Sequence, residues 1–122
     1  MTTREQAPFG APTWADLWTS DVPAARRFYG ELFGWEATEP VEEFGGYFTF
    51  TRRDVPVAGA MGDMPGTPAN NSWKVYFATN DIETTLATAE RAGGQVVFPA
   101  MPVGDLGIQA LVSDPNGAGF GL

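Results

Sequence analysis

Residues 13 to 19 read as a strand, whose successive side chains alternate between two faces. Ser20 or Asp21 can then cap the first amides of a helix that carries Pro23 in its first turn, where a missing N–H costs nothing. That helix sets Ala25, Phe28, Tyr29, Leu32 and Phe33 at i, i+3, i+4, i+7 and i+8, one apolar stripe, and stops at Gly34. Three short strands are predicted near 35–39, 46–52 and 56–61, the last two joined by a turn at Arg53-Asp54. The same order then returns. A strand at 73–79 leads into a helix from Ile82 to Ala92 with Ile82, Leu86 and Ala89 inward, followed by strands near 95–98, 107–113 and 118–122. The Pro-, Gly- and Asn-rich stretch Met64 to Asn71 separates the copies.

The repetition is visible in the residues themselves at an offset of 60. Thr19-Ser20-Asp21-Val22 returns as Thr79-Asn80-Asp81-Ile82, Gly34 as Gly94, and Asp54, Ala58 and Gly59 as Asp114, Ala118 and Gly119. A fixed period of this length marks a duplicated supersecondary unit, here βαβββ twice, which makes the fold class α+β. The expected organisation is one domain over residues 1–122, with module one at about 12–62, a linker at 63–72 and module two at about 73–122.

Composition changes the picture mainly by exclusion. A chain of 122 residues can bury a core without disulfides or a structural metal. A formal net charge of −8 argues against nucleic acid and anionic membrane as partners and leaves a small molecule or another protein. With no cysteine there is no disulfide framework. The opening residues lack an apolar signal region and no stretch is apolar for long enough to span a bilayer, so the chain reads as cytoplasmic.

Particular segments carry a resemblance. Trp14-Ala15-Asp16-Leu17 before Thr19-Ser20-Asp21, Phe28-Tyr29 with Leu32-Phe33-Gly34-Trp35, and the closing Asp114-Pro115-Asn116-Gly117-Ala118 are, in that order and over Pro12 to Leu122, similar to the vicinal oxygen chelate superfamily: glyoxalase I, the bleomycin-resistance proteins and the extradiol dioxygenases. The last two segments most resemble the glyoxalase-like branch in which two such domains often sit in tandem, so the chain also reads as a compact form or as half of a tandem protein. The resemblance implies two βαβββ modules forming a curved, barrel-like mixed sheet around a cavity, with helices on the convex face.

Within that implied frame, Ala15 and Leu17 face the helix while Trp14, Asp16 and Trp18 face the cavity. Trp73, Val75 and Phe77 go to the helix layer and Lys74, Tyr76 and Ala78 inward; Phe48 and Phe50 lie on the helix side, Tyr47 and Thr49 on the other. The four positions that hold a divalent ion in metal-dependent relatives correspond to Trp14, Met61, Lys74 and Gly121. Indole and glycine offer such an ion nothing, a thioether prefers soft metals and a protonated lysine repels a cation; the chain has no histidine at all. The expectation is a metal-free site with no cofactor, a carboxylate site including Asp16 being the residual alternative.

The candidate ligand-binding set is Trp14, Asp16, Trp18, Tyr47, Thr49, Met61, Lys74, Tyr76 and Gly121. Its aromatic faces suit stacking on a planar ligand, Thr49 can hydrogen-bond, and the missing side chain of Gly121 leaves room. Lys74, the only lysine, either meets an anionic or carbonyl group, pairs with Asp16, or snorkels to the rim. Trp35, Trp73, Phe28, Tyr29 and Phe33 read as plain core, Arg26-Arg27 as the exposed side of the first helix, and Asp54 and Asp114 as turn residues. The expected function is binding of a planar aromatic or natural-product-like molecule by a homodimer. The alternative is an enzyme of the superfamily (a lyase, isomerase, cyclase or dioxygenase), either metal-free through Asp16 or Lys74 or with an unrecognised metal site.

Overall fold

Two helices and eight strands alternate as the sequence pattern requires in the computed structural model, which describes residues 7–102 and 107–122. In chain order they are β1 (Pro12–Trp18), α1 (Val22–Phe33), β2 (Glu36–Ala37), β3 (Phe48–Arg52), β4 (Val55–Met61), β5 (Ser72–Phe77), α2 (Ile82–Arg91), β6 (Gln95–Pro102), β7 (Ile108–Ser113) and β8 (Gly119–Gly121). A 3-10 turn, Glu42–Phe44, precedes β3. Both halves are βαβββ and the class is α+β. The described residues form two compact units, Trp14–Lys74 and Val75–Leu122, the latter including residues 7–13. Among the described residues no helix is long and apolar enough to cross a membrane.

The helix starts repeat in detail. Asp21 accepts from the Ala24 amide at 3.0 Å, and Asp81 accepts from the Thr84 amide at 3.2 Å and the Thr84 hydroxyl at 2.9 Å. The backbone bond from Thr84 holds the Asp81 carboxyl below its ordinary value. Because the folded value is the lower one, this cap's contribution is complete above the ordinary carboxylate range and is lost as pH falls through the folded value. Asp81→Asn should therefore flatten the acid limb of a stability-against-pH curve, measured by urea unfolding, while Asp81→Ala should lower stability at neutral pH as well. Gly34 ends α1 in the left-handed region at φ 72°, donating its amide to the Gly30 carbonyl.

In the first unit β2-β3-β4-β1 are hydrogen-bonded in that order, β1 running parallel to β4. Leu17, Ala25, Phe48, Phe50, Ala58 and Ala60 form its core, with Tyr29 and Trp35 packed against it. In the second unit β8 pairs with β5 and β7, and β7 with β6; Leu86, Ala110 and Val112 are buried there, with Ile82, Ala89 and Phe120 around them. The inward set expected for the second helix is the one observed. Phe48 and Phe50 lie on the helix side, as the alternation predicts.

Three expectations change. The α1 stripe is only partly used: Ala25 is buried and Tyr29 half-buried, but Phe28, Leu32 and Phe33 are 56, 56 and 50 % exposed and Trp73 is 38 % exposed, so Phe28, Phe33 and Trp73 are not plain core. The five-residue stripe is wider than the face that β3 and β4 cover. Arg26 is not on the exposed side either. It is half-buried, with its guanidinium 4.7 Å from the centre of the Phe48 ring and one N–H donated to the Thr38 carbonyl at 3.0 Å.

The third change concerns the repeat. In the hairpin β3–β4, Arg53 and Asp54 form the turn at φ 52° and 65°, and Thr49 opposes Gly59. In β7–β8 the turn runs from Asp114 to Ala118, closed by Asp114 accepting from the Asn116 and Ala118 amides at 2.9 Å, and Leu111 opposes Gly121. The second turn is three residues longer, whereas a bulge at Phe50/Thr51 adds one residue to the first hairpin. The first hairpin also holds one more strand pair, so the two hairpins are equally long: Thr49 to Gly59 and Leu111 to Gly121 are both steps of 10 residues. The slip of two arises before them, because Gly34 to Phe48 is a step of 14 residues and Gly94 to Ala110 one of 16. Caps and first strands repeat at 60, but the closing hairpins superpose by register at 62, so the structural counterpart of Gly121 is Gly59 and that of Gly59 is not Gly119.

Candidate functional site

On the sheet face opposite the core of the first unit, three predicted residues meet. β1 points Trp14 and Asp16 away from Leu17, because successive side chains of a strand take opposite sides, and Tyr47, bridged to Val41 just before β3, meets them there. The Tyr47 hydroxyl donates to Asp16 Oδ1 at 2.6 Å, and the Trp14 indole N–H is shared between Asp16 Oδ1 at 2.8 Å and the Tyr47 oxygen at 3.0 Å. A phenol–carboxylate bond of 2.6 Å has the length of a charge-assisted one. All three residues are half-buried.

Gly59 makes the arrangement fit. It is buried, sits opposite Asp16 in the β1–β4 ladder and opposite Thr49 in the β3–β4 ladder, and a Cβ built there would overlap the Tyr47 hydroxyl and crowd Asp16 Oδ1. Sequence reasoning missed this residue. The offset of 60 had matched it to Gly119, an exposed strand start, and only the strand register reveals its place. The second unit repeats the device: Tyr76 is buried, opposes Gly121 in the β5–β8 ladder, and its ring lies where a Cβ on Gly121 would go.

The remaining candidates are nearby in strand or register without joining the cluster. Trp18 donates its indole N–H to the Gly62 carbonyl at 2.9 Å and opposes Met61, which is half-buried. Thr49 donates its amide to the Thr38 hydroxyl at 2.9 Å. Lys74 is half-buried and, among the described residues, forms no ion pair; Asp16 is engaged by Trp14 and Tyr47 instead of by Lys74. Trp73, one residue earlier, donates to the Tyr29 hydroxyl at 3.1 Å on the helix side, so alternation puts Lys74 on the opposite face of its strand.

Clefts also form outside this set. One of about 290 Å³ lies beside the start of α1, lined by Leu17, Thr19, Phe28, Tyr29 and Asn71 among others; another of about 260 Å³ lies between α2 and β6 around Leu86, Glu90 and Pro99. Neither contains a candidate ligand residue. The donor set does not fit a divalent metal: Trp14 spends its N–H on Asp16 and Tyr47, Lys74 is a cation, Gly121 has no side chain, and among the described residues no three His, Cys, Asp or Glu gather.

The family profile described as Glyoxalase/Bleomycin resistance protein/Dioxygenase superfamily matches residues 12–122. A Mycobacterium tuberculosis protein named Putative glyoxylase CFP32 is 36 % identical over 126 residues, covering 100 % of this chain and 48 % of that protein. Anthracycline biosynthesis protein DnrV of Streptomyces peucetius is 40 % identical over 129 residues, covering 93 % of this chain and 46 % of its own length. The chain thus spans about half the length of the curated relatives it matches. Among solved structures, methylmalonyl-CoA epimerase of Streptomyces coelicolor, in complex with 2-nitronate-propionyl-CoA, superposes with a TM-score of 0.64 at 16 % identity, covering 94 % of each chain. That likeness is one of fold.

Proposed function

Because the chain belongs to the glyoxalase/bleomycin resistance protein/dioxygenase superfamily, we propose that it is a metal-independent small-molecule-binding protein whose ligand is planar and aromatic. The observation that carries this reading is the Trp14–Asp16–Tyr47 cluster over Gly59. Its hydrogen bonds fix an indole and a phenol side by side on the face away from the core, so flat surface is offered at little further cost in side-chain freedom. Trp18, Thr49, Met61 and Lys74 extend the first unit's face, and Tyr76 with Gly121 forms the second unit's own. The name of DnrV attaches that relative to the making of anthracyclines, a fused-ring class, which supports a planar ligand.

Both donors of the cluster converge on Asp16 Oδ1, so that oxygen holds the site together. The net charge of −8 supports a small-molecule ligand over nucleic acid or an anionic membrane. Calorimetric titration of the chain with anthraquinone in EDTA, repeated with Mn²⁺, Fe²⁺, Ni²⁺ or Zn²⁺, tests the reading. Micromolar binding that is indifferent to metal is expected. One equivalent of metal taken up, with ligand binding dependent on it, would replace the reading by a metalloenzyme.

The protein is further proposed to be a cytoplasmic homodimer. Support for self-association is the exposure of Phe28, Leu32 and Phe33 on one helix, with Trp73 also exposed, since monomers rarely leave large apolar side chains clustered in water. Sedimentation at micromolar concentration should give twice the chain mass, and Leu32→Glu should halve it; a monomeric parent would end this part of the proposal.

A further inference from the structure

The hydrogen bonds of the Trp14–Asp16–Tyr47 cluster orient its hydrogen atoms. It contains two polar hydrogens. The phenolic one is given to Asp16 Oδ1, and the indole one is shared between Asp16 Oδ1 and the Tyr47 oxygen, so both point inward. Neither is turned toward a ligand. What the cluster has left is acceptor capacity on a carboxylate. Asp16 Oδ1 takes both bonds, whereas Oδ2 takes none among the described residues, and Oδ2 is not a sealed, unpartnered atom either. The carboxyl group cannot turn to exchange its oxygens without breaking the 2.6 Å and 2.8 Å bonds together.

From this we infer that the site selects planar ligands carrying a hydrogen-bond donor, an ammonium, alcohol or phenol group beside the ring, which is received by Asp16 Oδ2 while the ring stacks on Trp14. The inference rests on the proposed aromatic-binding function and specifies its ligand class. A donor meeting a carboxylate makes a charge-assisted bond, and a net charge of −8 adds a long-range preference for cations. An ether or carboxylate at the same place finds no hydrogen offered by the cluster, and a carboxylate also meets Asp16's charge. The rival anchor is Lys74, whose ammonium forms no ion pair among the described residues and would select the opposite chemistry.

Four anthracenes that differ in one substituent, aminomethyl, hydroxymethyl, methoxymethyl and carboxylate, distinguish these outcomes by calorimetric titration of the intact chain. The aminomethyl and hydroxymethyl compounds should bind at least about tenfold more tightly than the methoxymethyl ether, with the carboxylate weakest. In Asp16→Asn the aminomethyl-to-ether ratio should fall below about threefold while the ether still binds, and in Lys74→Met the wild-type order should persist. Equal binding of all four compounds overturns the donor selectivity and leaves aromatic binding standing. Tightest binding of the carboxylate overturns it in favour of Lys74. Failure of all four to bind removes the aromatic-binding reading and this inference with it. The wild-type order decides the matter alone if Asp16→Asn does not fold.

Discussion

Phe50→Ala should remove about 3–5 kcal/mol of folding stability, the range for truncating a fully buried aromatic residue. Phe50 is 0 % exposed, and its ring meets Phe48 at 5.3 Å and 74°, Trp35 at 5.3 Å and Tyr29 at 5.8 Å. It lies where β3 passes under α1, so the cavity left by alanine is walled by side chains that other contacts already hold: Tyr29 also meets Phe33, Trp35 and Trp73. A network tied at several points collapses poorly into a void, which puts the cost at the upper end. Domains of this size are stable by only about 5–15 kcal/mol, so the variant should lose much of its margin. Urea unfolding should show the midpoint falling with little change in slope. A loss under about 1 kcal/mol would mean that the aromatic cluster repacks freely and is not the core of this unit.

Which parts of the fold the sequence revealed follows from the range of the signal. Helix caps are local chemistry, and Asp21, Asp81 and Gly34 stand where their types and spacing put them. Alternation is also local, and it placed Phe48 and Phe50 on one face and Tyr47 on the other. What alternation could not supply is how much of a face its neighbour covers. Phe28, Leu32 and Phe33 share a period with Ala25, yet only the part of α1 above β3 and β4 is buried.

The site shows the same boundary. Trp14, Asp16 and Tyr47 were each recognisable as facing away from the helix, but that they meet depends on the pairing β3–β4–β1, which has no local signature. Gly59 pairs with Gly119 by residue offset but with Gly121 by register, because the second copy carries two more residues between its helix stop at Gly94 and Ala110 than the first does between Gly34 and Phe48. A residue offset counts covalent bonds, while register counts hydrogen bonds. Here the two diverge in the segment between the helix stop and the closing hairpin.

Gly59→Val is expected to have an effect of comparable size and to reach the site as well. The Asp16–Tyr47 hydrogen bond passes over the Gly59 backbone, and even a single Cβ there would overlap the Tyr47 hydroxyl. Neighbouring Ala58 and Ala60 are buried on the opposite face, so β4 cannot retreat without opening the core beneath Phe48 and Phe50. Tyr47 must therefore leave. Its departure strips Asp16 of a charge-assisted bond and frees the Trp14 indole, at a cost of about 3 kcal/mol or more when overpacking and the lost bonds are combined. Ligand binding should fall at least about tenfold in the fraction that folds. Gly59→Ala with Tyr47→Ala separates steric displacement from a backbone effect: if the overlap is the cause, the double variant should be less destabilised than the sum of the two single variants by about 1 kcal/mol or more. Strict additivity would show that glycine is needed at 59 for the β4 backbone itself and that the cluster adapts to what stands beneath it.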